Sequence, residues 1–76
     1  MKRSEFDLAV EEEFGPGYAS VVVDDLVLGA LDGRTARQAL AAGVAPRTVW
    51  LAICEATDVP ASRRHGAGLR QPRGEA

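Results

Sequence analysis

The sequence is short of the residues that cross-link small domains. Its 76 positions hold one cysteine, Cys54, and one histidine, His65. A lone cysteine excludes an internal disulfide, and one Cys with one His cannot supply the four ligands of a structural zinc site. Apolar runs are only a few residues long, far below the roughly 20 that span a bilayer. No glycine-rich phosphate loop is present, since Gly15-Pro16-Gly17 reads as a helix break. The opening Met1-Lys2-Arg3-Ser4-Glu5 has the basic start of a signal peptide, but acids stand where its apolar stretch should begin. A cytoplasmic location is therefore expected, with no membrane association. The length leaves no room for a dinucleotide-binding sheet or a barrel.

What is present is ordinary globular composition, 46% hydrophobic and 26% charged. A domain near this size buries only about 60% of its extended-chain surface, so it must pack economically or borrow surface from a partner. Charge is unevenly placed. Residues 1–61 hold five basic residues against ten acids, a net of −5, and residues 62–76 hold four arginines against Glu75, a net of +3. The second region also has three glycines, one proline and a single large apolar residue, Leu69. It cannot bury enough surface to offset ordering, so it reads as a disordered basic tail behind a domain of residues 1–61.

The periodicity predicts an all-α domain, a bundle of four short helices. Ser4 reads as the N-cap of the first, residues 5–13, with Phe6, Ala9, Val10 and Phe14 at helical spacing. Pro16 opens the second, whose stripes run unbroken through residues 18–31 until Asp32-Gly33 stops it. Thr35 and Gln38 make a capping box for a third, residues 36–42, ending at Gly43. Pro46 opens the last, with Val49, Trp50, Ile53 and Cys54 as its buried stripe and Asp58-Val59-Pro60 as its stop. Ala45 is a poor N-cap for it. The expected core is Phe6, Val10, Phe14, Tyr18, Val22, Leu26, Leu31, Leu40, Val44, Val49, Trp50 and Ile53. Trp50 is the largest of these, and its N–H needs a partner if enclosed.

Residues 39–49 look like a helix-turn-helix. Ala39 permits close crossing, Gly43 accepts a left-handed turn, and Val44 and Val49 fill the angle between the helices. In DNA-binding proteins of this type the second helix enters the major groove by its N-terminal residues, here including Arg47 and Thr48. Arg34, Arg37, Arg63 and Arg64 could add phosphate contacts. The net charge of −5 opposes that role, because duplex affinity comes largely from phosphate neutralisation.

The body also resembles a small actinobacterial family of uncharacterised proteins, domain-of-unknown-function family 3046. The likeness lies in Ser4-Glu5-Phe6, Phe14-Gly15, Tyr18-Ala19, Asp25-Leu26-Val27-Leu28, Gly33-Arg34-Thr35, Ala39-Leu40-Ala41-Ala42-Gly43, Val49-Trp50, Cys54-Glu55 and Asp58-Val59-Pro60. It covers residues 1 to about 61. The chain departs from the family pattern at Asp7, where tryptophan is usual, at Asp32, where glycine is usual, and at Ala45, where a polar cap is usual. The resemblance implies a bacterial cytoplasmic protein with no assigned catalytic residue. Members are often encoded near the RecA recombinase, which implies a link to DNA repair.

Two functional readings follow. In the first the chain is a non-enzymatic protein-interaction module, whose acids Glu11, Glu12, Glu13, Asp24 and Asp25 face a basic protein partner, a homodimer being one variant. In the second, a nucleic-acid-binding protein uses Arg34, Arg37, Arg47, Thr48, Arg63 and Arg64. An enzyme is not expected. Cys54 lies on an apolar stripe, His65 in the tail, and Asp24 and Asp25 diverge by about 100° on a helix. No cofactor is implied.

Overall fold

In the computed structural model, which describes residues 1–64, the first helix begins ahead of Ser4. Helix α1 covers Arg3–Phe14, and Lys2 is its N-cap. The Glu5 carboxylate accepts the Lys2 backbone N–H at 2.7 Å, the return contact of a capping box. Asp7 pairs with Arg3 across one turn, at 3.1 Å, instead of completing a box with Ser4. Gly15, at φ +88°, turns the chain directly into α2, Pro16–Asp24, with Pro16 in its first turn as expected.

The second helix is shorter than its apolar pattern suggests. It ends at Asp24, and Val27–Leu28 (β1) pairs antiparallel with Arg34–Thr35 (β2), Val27 opposite Thr35 and Leu28 opposite Arg34. A single 3-10 turn, Gly29–Leu31, and two left-handed residues, Asp32 and Gly33, bring the chain back. This ribbon corrects the reading of 18–31 as one helix. Its physical basis is the backbone pairing that the left-handed turn at Asp32 and Gly33 permits. Leu28 is fully buried while its neighbour Val27 is 60% exposed, as opposite faces of a strand require.

Helix α3 covers Ala36–Ala41 and has the expected capping box. Thr35 Oγ1 accepts from the Gln38 N–H at 3.2 Å, and Gln38 Oε1 accepts from the Thr35 N–H at 2.9 Å. Gly43, at φ +96°, makes the tight turn into α4, Pro46–Thr57. No side chain caps α4 at Ala45. Asp58 ends α4 in the left-handed conformation, and Val59 closes over the helix end with its N–H on the Cys54 carbonyl at 3.0 Å.

The core forms where α1, α3, β1 and the Gly29–Leu31 turn meet α4, with α2 packed on α1 and α3. Its largest fully buried side chains are Trp50, Phe6, Leu28, Ile53, Val10, Val22, Val49 and Cys54. Phe14, Leu26, Leu31, Leu40 and Val44 pack around it, half-buried. Ala36 and Ala39 lie within it, so α3 approaches closely through small residues, as Ala39 implied. Tyr18 is not a core residue. It is 58% exposed, because α2 turns Ala19, Val22 and Val23 inward and leaves the Tyr18 ring edge-on against Phe14 at 6.3 Å.

The ordered body also runs past residue 61. Ala61–Arg63 form a 3-10 turn and Arg64 follows it. The first three residues assigned to the tail, Ser62, Arg63 and Arg64, thus belong to the folded part, held there by hydrogen bonds detailed below. The rest of that assignment, residues 65–76, lies outside the described residues.

Candidate functional site

The two sets of charged residues marked by the sequence meet at two ion pairs, Arg37–Asp24 and Arg63–Glu13. Three of the six residues in the basic set lie against acids. The Arg37 guanidinium donates from Nε to Asp24 Oδ1. Arg63 grips Glu13 with two nitrogens, at 3.0–3.2 Å. Arg64 Nη1 stands 3.9 Å from Glu55, and its Nε donates to the Val59 carbonyl at 2.8 Å. The hydrogen bond and charge of Asp24, reinforced by Asp7, raise the already high pKa of Arg37. Each of these arginines has a partner inside the described fold, although the Arg37 and Arg63 side chains remain more than half exposed.

Helical geometry decides which acids remain. Successive residues on α1 differ by about 100°, so Glu11, Glu12 and Glu13 cannot point the same way. Glu13 turns toward the chain end and is only 18% exposed, whereas Glu11 and Glu12 face solvent. Leu8 shares that outer face, three and four positions earlier, and is 41% exposed. On α2, Asp24 is taken by Arg37, and Asp25 sits exposed at the C-cap. Tyr18 and Val21, one turn apart on α2, are also exposed. Among the described residues Glu11, Glu12 and Asp25 have no ion-pair partner.

The same holds for Arg34 on β2 and for Arg47. Arg47 and Thr48 project from the first turn of α4, exposed, directly after the Gly43 turn.

One grouping was missed. Arg3, Asp7, Glu11 and Arg37 line a shallow depression of about 180 Å³ between α1, α2 and α3, with Val10, Ala19 and Val23 as its floor. The Arg3–Asp7 spacing was readable as a helical pair, but Arg37 reaches the site only through tertiary packing. Charges of both signs alternate around the depression.

Cys54 is fully buried, and burial pushes its thiol up to about 11, so it is protonated at neutral pH. His65 lies outside the described residues. Among the described residues no group of three or more His, Cys, Asp or Glu is placed to hold a metal ion, and no helix is long and apolar enough to cross a membrane.

A family described as Protein of unknown function (DUF3046) matches residues 1–62. No curated protein and no solved structure matches the chain.

Proposed function

The chain belongs to the family described as Protein of unknown function (DUF3046), and we propose that it works as a non-enzymatic protein-interaction module. One observation carries this reading. Arg37, Arg63 and Arg64 are engaged by internal partners, while among the described residues Asp25 has no ion-pair partner on the face of α2 that exposes Tyr18 and Val21, and Glu11 and Glu12 have none on α1, where Leu8 is exposed. An exposed aromatic and aliphatic pair next to an acid, as Tyr18, Val21 and Asp25 are on α2, suits a partner segment that carries Lys or Arg next to apolar residues. The protein acts in the cytoplasm and needs no cofactor. Its connection to DNA repair rests on the family resemblance and would run through the partner. Affinity capture with and without nuclease tests the reading. The expected result is a protein retained after nuclease and lost with Tyr18→Ser plus Val21→Ser. Retention by that variant, or loss with nuclease alone, overturns it. Self-association is read in parallel by analytical ultracentrifugation.

A second reading has its own observation. Arg47 and Thr48 occupy the first turn of the helix that follows the Gly43 turn, and Arg34 on the ribbon has no ion-pair partner among the described residues. That is where helix-turn-helix proteins meet base edges. Nucleic-acid binding predicts log affinity falling with log salt at a slope of about 3–5, lowered by about 2 in Arg34→Ala plus Arg47→Ala. No gel retardation of duplex or single strand at low salt rules it out.

A further inference from the structure

Residues 61–64 lie across the end of the α1–α4 pair, and polar contacts hold them there. None of the three residues in the 3-10 turn is buried, and Arg64 is half-buried. The Trp50 indole N–H donates to the Arg64 carbonyl at 2.6 Å, and Arg64 Nε donates to the Val59 carbonyl at 2.8 Å. Arg63 forms its two-nitrogen grip on Glu13, fifty positions away on α1. Arg64 adds a longer contact to Glu55. What these residues adjoin is apolar: Trp50 is 1% exposed, Cys54 0% and Val59 3%. Arg64 and Glu13 are close enough to Cys54 for their charges to act on its thiol.

A segment anchored by apolar burial detaches only when the core comes apart. One anchored by hydrogen bonds and ion pairs detaches for less, because water replaces those contacts. The Arg63 side chain is 58% exposed, so solvent ions reach its guanidinium. We propose that residues 61–64 form a salt-sensitive strap, latched by Arg63 on Glu13, whose release uncovers Trp50 and Cys54 while the four helices stay folded. Opening hands the Trp50 N–H to water, which satisfies it, so no buried donor is stranded. Such a local opening lies below global unfolding in free energy.

The chain reports on its own strap, because it has a single tryptophan and a single cysteine. Trp50 emission and the rate of Cys54 labelling by a thiol reagent are measured on the full chain. In Arg63→Glu, repulsion from Glu13 should raise the labelling rate about tenfold and move the emission to longer wavelength, as loss of a charge-assisted bidentate contact implies. Cooperative unfolding by urea should persist. The exchanged pair, Glu13→Arg with Arg63→Glu, should return labelling to within about twofold of the starting protein. Going from about 0.01 M to about 1 M KCl shortens the screening length from about 30 Å to about 3 Å, and should speed labelling of the unaltered protein. Equal labelling in the unaltered protein and Arg63→Glu overturns the proposal, as does labelling that follows global unfolding in every variant. If Arg63→Glu does not fold, the salt series on the unaltered protein decides, and a rate indifferent to salt overturns it.

Discussion

The indole nitrogen of Trp50 donates to the carbonyl of Arg64 at 2.6 Å, so the largest core residue is satisfied by a backbone group fourteen positions along the chain. The enclosed indole needs such a partner, because an unpaired buried donor costs about 1–3 kcal/mol. Trp50→Phe keeps a ring in the core and removes the donor, and should lower stability by about 1–2 kcal/mol. Trp50→Ala also removes the ring and should cost about 3–5 kcal/mol. Urea unfolding followed by far-UV circular dichroism measures both.

Leu28 and Val27 are neighbours with opposite fates, one fully buried and one 60% exposed. Leu28→Ala should cost about 2–5 kcal/mol through the cavity it leaves. Val27→Thr should stay within about 0.5 kcal/mol, being a surface change that keeps the β-branch. Equal losses at both positions in thermal unfolding would contradict the strand alternation.

Ala45 has the extended backbone of an N-cap, φ −61° and ψ 139°, and a side chain that can accept nothing. Ala45→Asp should stabilise the chain by about 1 kcal/mol, from a hydrogen bond to the open N–H groups of α4 and a favourable charge at its positive end. A higher melting temperature is the readout. An unchanged one would mean the first turn of α4 is already satisfied.

Burial raises the Cys54 thiol from 9.0 to about 11, against the opposing charge of Arg64. The unfolded chain therefore loses this proton first as pH rises. The stabilisation is complete below about pH 9 and is lost as pH climbs toward about 11. Urea midpoints across that window should fall more steeply for the unaltered protein than for Cys54→Ala. Parallel slopes would show that the thiol does not contribute.

The Arg37–Asp24 pair joins α3 to α2 at the surface, with side chains 62% and 41% exposed. Arg37→Ala should change stability by less than about 1 kcal/mol, as is usual for exposed ion pairs. A double-mutant cycle with Asp24→Ala gives the coupling directly.

Features written into neighbouring residues were legible in the sequence. Thr35 and Gln38 lie three apart and made their box, Pro46 opened α4, and Val49, Trp50, Ile53 and Cys54 formed the buried stripe. The ribbon was not legible. Strands of two residues are too short to declare a period, and Val22, Leu26 and Gly29 mimic a helical stripe up to the point where pairing with Arg34–Thr35 takes over. Nor could the candidate site be read in full. Asp24 meets Arg37 thirteen positions on, and Glu13 meets Arg63 fifty positions on. Neither spacing has a local signature, so the pairing of Asp24 with Arg37 and of Glu13 with Arg63 could not be read from the sequence.

The span between Glu13 and Arg63 also sets a schedule for the nascent chain. Ribosomes add about 5–20 residues per second, so about 3–10 s separate the synthesis of these two side chains. Phe6 and Val10 emerge early, but α4, which they pack against, follows much later. During that interval α2 can cover α1 but α4 cannot, and the three consecutive glutamates, Glu11, Glu12 and Glu13, are then all free to repel neighbouring chains. Glu13 gives up that duty only when the last turn of the fold arrives to claim it.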